Sequence, residues 1–197
     1  MSAPKLTGCI IVTGMPGAGK STVTELAARM APRAAQVKGD DVNLMIKSGA
    51  VQFMGEPHDE ALRQYELSRR NMCALASNFV DYGFTVFMDT VVQDRAMLDF
   101  LLALLSPRAA RLVVLAPGIG TCRQRNLSRP AKEQFAFDGY EQLEADMQRG
   151  LGDASWWFDT SRLTPEATAE RLVHDVVDEA APLRGHWTSH LDRRPET

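Results

Sequence analysis

Gly14-Met15-Pro16-Gly17-Ala18-Gly19-Lys20-Ser21 decides how this chain is read. The spacing is G-x-x-x-x-G-K-S, and each position has a physical reason. Gly14, Gly17 and Gly19 let the backbone curl until its N–H groups point inward at an anion. Lys20 opens a helix whose N-terminus adds the positive end of its dipole. Its ammonium is a mobile point charge suited to β- and γ-phosphates. Ser21 offers a hydroxyl to Mg²⁺. Thr22 either faces the α-phosphate or caps the helix. The flanks fit. Residues 6–13 are apolar and β-branched, as in a buried parallel strand. Lys20–Met30 places Val23, Leu26, Ala27 and Met30 on one helical face, and Pro32 ends the run. Strand, glycine loop and helix in that order distinguish a nucleotide phosphate site from a chance turn.

The same alternation continues outward. Ala34–Lys38 reads as a short strand, 41–47 as a short helix and 56–81 as the longest helix, stopped by Gly83. Residues 84–88 form a strand ending at Asp89, Arg95–Leu105 a helix and 111–116 a strand stopped by Pro117-Gly118. Residues 121–128 make a basic helix and 138–149 another helix, followed by the strand Trp156–Phe158. Thr164 is the N-cap of the last helix, with Pro165 in its first turn. Strands alternating with helices predict an open parallel sheet with helices on both faces.

At 197 residues the chain fits one domain with a core of its own. The expected division is 1–181 as the domain, with a substrate-binding insertion at about 41–82, a lid at about 121–137, and a polar tail at 182–197. A content of 45% hydrophobic and 24% charged residues is that of a folded soluble protein. The net charge of −3 speaks against non-specific nucleic-acid binding. Cys9, Cys73 and Cys122 form no metal or disulfide pattern, so a reducing cytoplasmic compartment is expected. No stretch has the run of apolar residues that a membrane helix needs. His186 and His190, four apart, lie in the weakly patterned tail and are not read as metal ligands. His58 and His174 carry no pattern. Oligomeric state is not readable.

Ligands of open α/β sheets sit beyond the carboxyl ends of the strands. Asp40-Asp41, Asp89 and Asp159 all follow predicted strands. One of Asp40 and Asp41 serves as base toward an acceptor hydroxyl, the other as helix cap; Asp40, directly after the strand, is the choice for the base. Val86-Phe87-Met88-Asp89 has the form of a Walker B element, whose acid holds the Mg²⁺ shell or contacts the acceptor. Asp159 reads as a turn or cap residue, in a loop that commonly borders the adenine in this fold class. Arg123, Arg125 and Arg129 fall in one basic segment, and arginine forks neutralise charge on a transferring phosphoryl group. Lys47, Arg63, Arg69 and Arg70, with Met45, Val51, Phe53 and Met54, lie where an acceptor would be held.

With these residues placed, the chain resembles the small P-loop kinases related to nucleoside monophosphate and shikimate kinases. Within them it looks most similar to the chloramphenicol phosphotransferase-like group. The resemblance spans about residues 6–180. It rests on the Walker A loop, on Gly39-Asp40-Asp41, on the three arginines, and on the Asp159-Thr160-Ser161 to Thr164-Pro165-Glu166 stretch. It implies a three-layer α/β/α P-loop NTP hydrolase/kinase fold with a five-stranded parallel sheet. It also implies γ-phosphoryl transfer from Mg-ATP to a hydroxyl of a small molecule, an antibiotic or a metabolite. The implied nucleotide site is Gly14, Met15, Pro16, Gly17, Ala18, Gly19, Lys20, Ser21, Thr22 and Arg123. Asp40, Lys20, Arg125 and Arg129 are the implied catalytic set, and Ser21 with Asp89 the metal set. No N-K-x-D guanine signature is present, so ATP is expected. The rival readings are a polynucleotide 5′-hydroxyl kinase, a toxin-like sugar-nucleotide kinase, and a nucleotide-binding switch without chemistry. Neither nucleic acid nor membrane is expected as a partner.

Overall fold

The computed structural model describes residues 6–131, 134–135 and 137–185. Five strands make one sheet: β1 Cys9–Thr13, β2 Ala34–Lys38, β3 Thr85–Asp89, β4 Ala110–Leu115 and β5 Trp156–Phe158. Every pairing is parallel and the order is β2-β3-β1-β4-β5. The helices are α1 Lys20–Met30, α2 Gly39–Asn43, α3 His58–Asp81, α4 Arg95–Leu105, α5 Ile119–Leu127, α6 Tyr140–Leu151 and α7 Pro165–Glu179.

The central strand β1 shows why the sheet is covered on both faces. All five of its residues are buried. Cys9 and Ile11 point into one apolar cluster with Met72, Met88, Leu98, Leu101 and Met147, from α3, β3, α4 and α6. Ile10 and Val12 point into a second, with Val23, Ala27, Leu172 and Val176, from α1 and α7. The two-residue period of a strand thus feeds two cores, which makes three layers. Burying a side chain of this size contributes about 1.5–3 kcal/mol. α7 is started as its sequence predicts: Thr164 Oγ1 accepts from the Ala167 amide at 3.2 Å, with proline at the first turn.

Two boundaries differ from the sequence reading. α2 begins at Gly39 rather than 41, and its N-cap is Lys38, which is extended and makes no side-chain cap bond. Asp40 and Asp41 therefore both sit inside the first turn, where carboxylates complement the helix dipole, and neither is the cap. Residues 182–185, expected at the start of the tail, are tied to the domain. Leu183 pairs antiparallel with Ala110, and the Ser106 hydroxyl donates to the Gly185 carbonyl at 3.1 Å. His186 and His190 lie outside the described residues.

Candidate active site

The glycine loop leaves the carboxyl end of β1, in the middle of the sheet. Gly14, Gly17 and Gly19 all take positive φ, as the anion-cradling curl requires. At Gly17 (φ 86°) the reason is double, because a Cβ there would lie 2.2 Å from the Cys122 carbonyl oxygen of α5. Met15 and Ala18 are buried in the core beneath the loop, so their side chains anchor it, and the Ala18 amide donates to the Met15 carbonyl at 3.0 Å. The Lys20 ammonium folds back on the loop, donating to the carbonyls of Gly14 (3.0 Å) and Met15 (3.1 Å).

Beside the loop, Ser21 Oγ donates to the Asp89 carboxylate. Asp89 is buried at the end of β3. Burial raises its pKa, against the pull of Lys20 and the Ser21 hydroxyl. Burial likewise pushes the Lys20 ammonium down, while Asp89 and then Asp40 pull it back up. A hydroxyl and a carboxylate side by side are hard oxygen donors of the kind Mg²⁺ takes, one or two from protein and the rest from phosphate and water. Among the described residues no cluster of three or more His, Cys, Asp or Glu competes as a metal site.

Asp40 is exposed, and its charge bears on both Lys20 and Asp89. Asp41 instead lies 3.9 Å from the Lys38 ammonium. The structure so brings Lys20, Ser21, Asp89 and Asp40 to one end of the sheet. The arginines divide. The Arg125 guanidinium lies 3.7 Å from where a Gly19 Cβ would sit, directly over the loop. Arg129 adds its charge at Lys20. Arg123 turns to α6, paired with Glu141 at 2.8 Å and 5.2 Å from the Tyr140 ring centroid. Asp159 closes a turn, accepting from the Ser161 amide at 2.9 Å.

Three contributors escaped the sequence reading. Asn126, buried in α5, grips Phe135 by both main-chain groups: Nδ2 donates to its carbonyl at 2.8 Å, and Oδ1 accepts its amide at 3.1 Å. Gln36 donates to the Ser21 carbonyl (2.9 Å) and the Thr24 hydroxyl (2.8 Å), fixing β2 to the first turns of α1. Thr13 Oγ1 accepts from the Val92 amide at 2.8 Å, which holds the segment after Asp89 against the loop strand. An asparagine after a basic helical run and a threonine closing a strand are the only signals of these roles, and both are weak.

This sheet order, with the phosphate loop on its central strand and α5 lying over the loop, defines the P-loop kinase fold. No family model matches the chain, and no curated protein matches it. Solved structures do match in fold. One is the Mycobacterium tuberculosis APS kinase CysC in complex with AMPPNP and APS, with 17% identity, 89% of this chain and 99% of that one covered, and a TM-score of 0.66. A sugar kinase from Janibacter sp. HTCC2649 has 17% identity, 88% and 95% coverage, and a TM-score of 0.64. The Deinococcus radiodurans tunicamycin resistance protein has 16% identity, 90% and 99% coverage, and a TM-score of 0.64. Among the described residues no helix is long and apolar enough to cross a membrane.

Proposed function

We propose that the protein is a kinase that moves the γ-phosphoryl group of Mg-ATP to a hydroxyl of a small molecule. The observation that carries this reading is the convergence on Lys20. At the carboxyl end of the sheet Ser21 bonds to the Asp89 carboxylate, and the charges of Asp89, Asp40 and Arg129 all bear on the loop lysine. A switch protein needs the loop and the metal acid, but not a second exposed carboxylate after β2 or arginines over the loop. The likeness to an APS kinase complexed with AMPPNP and to a sugar kinase supports the same class.

The residues divide the chemistry. The loop amides and Lys20 hold the phosphates, with Lys20 exchanging its Gly14 and Met15 carbonyls for phosphate oxygens. Ser21 and Asp89 would hold Mg²⁺, which would supply positive charge to neutralise what develops on the phosphates. Asp40 orients the acceptor hydroxyl and takes its proton as that oxygen bonds to the γ-phosphorus and the bond to the β-phosphate oxygen breaks. Arg125 and Arg129 face the charge spread over the transferring group. Arg123, held on α6, acts on nucleotide once the lid closes. The insertion 41–82 and the lid 121–137 follow the same division into acceptor and cover, and the domain itself runs on through 182–185. The three free, buried cysteines support a reducing compartment.

The test is ATP consumption against hydroxylated antibiotics, sugars, nucleosides, hydroxy acids and 5′-hydroxyl oligonucleotides. Acceptor-dependent ADP release with a small molecule is expected. Turnover with the oligonucleotide alone selects the polynucleotide kinase, and tight ATP binding with no acceptor-dependent turnover in any class selects the switch.

A further inference from the structure

β2 ends in a lysine that leaves the sheet on the face of Ser21 and Asp89. Within β2, Val37 is buried in the cluster with Met72 and Met88, on the α3 side. Its neighbours point the other way, as the two-residue period of a strand requires. Gln36 shows the direction, since its Nε2 donates to the Ser21 carbonyl and the Thr24 hydroxyl of α1. Lys38 leaves the same face one step closer to the carboxyl end. There it stands in register with Asp89 of β3, whose carboxylate accepts the Ser21 hydroxyl. Neighbouring strands run about 4.8 Å apart, so the Lys38 and Asp89 side chains start side by side.

The Lys38 ammonium has no close partner. Its side chain is only 32% exposed, yet Nζ makes no hydrogen bond among the described residues, and its ion pair with Asp41 spans 3.9 Å. Asp41 is itself 63% exposed. A pair that loose and that wet contributes little. The charge of Lys38 also bears on Asp89 and on Glu25 of α1, without an ion pair to either. A surface salt bridge therefore does not account for a lysine on this face. The sheet order supplies a reason. Along β2-β3-β1-β4-β5, α5 with its arginines follows β4, and Lys38 ends β2. The two flank the phosphate-loop strand from opposite sides, and Asp40 lies two residues beyond Lys38.

We propose that Lys38 is a second phosphate lysine, which binds the γ-phosphoryl group from the β2 side while Arg125 and Arg129 face it from the α5 side. The inference rests on the kinase reading of the same cleft. The ammonium gives up its loose hold on Asp41 and donates to a γ-phosphate oxygen, beside the metal set Ser21 and Asp89. A compact ammonium with three donors suits that task. It acts on the group that moves, because the γ-phosphoryl passes to the hydroxyl that Asp40 orients. ADP has no such oxygen, so Lys38 tells the nucleotide before transfer from the nucleotide after it.

Binding of AMPPNP and of ADP, each with Mg²⁺, tests it. Lys38→Met should weaken AMPPNP about 10- to 100-fold, the worth of one charge-assisted hydrogen bond, and leave ADP unmoved. Lys38→Arg, which keeps the charge, should keep most of the AMPPNP affinity. Asp41→Asn removes the loose partner and should retain the wild-type ratio of the two affinities; if it reproduces Lys38→Met, pairing with Asp41 is the role of Lys38 and the proposal falls. Equal changes for both nucleotides, or none for either, also overturn it. Should Lys38→Met fail to fold, Lys38→Gln carries the same measurement. No acceptor is needed. If no acceptor turns over, the kinase reading falls, and the ratio of AMPPNP to ADP affinity still decides whether Lys38 holds the γ-phosphate.

Discussion

Asp40 and Asp41 are adjacent, both exposed and both in the first turn of α2, yet their surroundings differ. Asp40 acts on Lys20 and Asp89, and Asp41 on Lys38. Asp40→Asn is therefore expected to lower turnover roughly 10²-fold or more with nucleotide affinity kept, as loss of a general base does. Asp41→Asn is expected to stay close to wild type. Steady-state kinetics on both variants, with nucleotide binding measured separately, checks this; equal losses would remove the distinction. At this scale the sequence carried the loop completely, because eight contiguous positions share one local task. It left Asp40 and Asp41 undivided, since what separates them is a lysine and a carboxylate from other elements. Arg69, which the fold buries, was visible only as one of four basic residues in an insertion. Its burial depends on how α3 meets α2, and no local pattern encodes that.

α5 and the chain after it behave as one element because of Asn126. The Phe135 main chain is held by an amide that mimics a backbone partner, and Gln134 Nε2 donates to the carbonyls of Leu127 (3.0 Å) and Arg129 (2.8 Å). Arg125 and Arg129 lie on this closed segment. Asn126→Ala removes both side-chain partners of the Phe135 main chain, a loss of about 0.5–1.5 kcal/mol per hydrogen bond that falls on the segment rather than on the whole fold. The expected outcome is a reduced kcat, faster amide hydrogen exchange at Gln134 and Phe135, and a melting temperature close to wild type. An unchanged kcat with faster exchange would detach the clamp from the chemistry. Strands and long helices were legible because burial on both faces or one face writes a period into the sequence: β2, α1, α4 and β5 fall where their patterns put them. α2 and the lid connection were not, since a five-residue helix has too few turns for a period.

Across the whole molecule the thiols report on the two-sided core. Cys9, Cys73 and Cys122 are buried, and burial raises the pKa of each, Cys73 to about 12. A thiol that resists ionisation only when folded contributes stability that is fully present below its unfolded pKa of 9.0 and is lost as pH rises toward the folded value. The urea midpoint should fall as pH climbs from 9 toward 12, and Cys73→Ala should flatten that fall. Native protein at neutral pH should show no fast-reacting thiol, and unfolded protein all three. A parallel fall in wild type and variant would assign the alkaline limb to other groups. The contact of Gly17 with the Cys122 carbonyl has a reach beyond the loop itself. It locks the backbone of the donor loop to the backbone of the helix that carries the arginines, with no side chain in between. Side chains on α5 are thus free to drift while its path is not. On the kinase reading proposed above, descendants of this chain could acquire new substrates through the residues between β2 and β3, while the loop and α5 keep the same path.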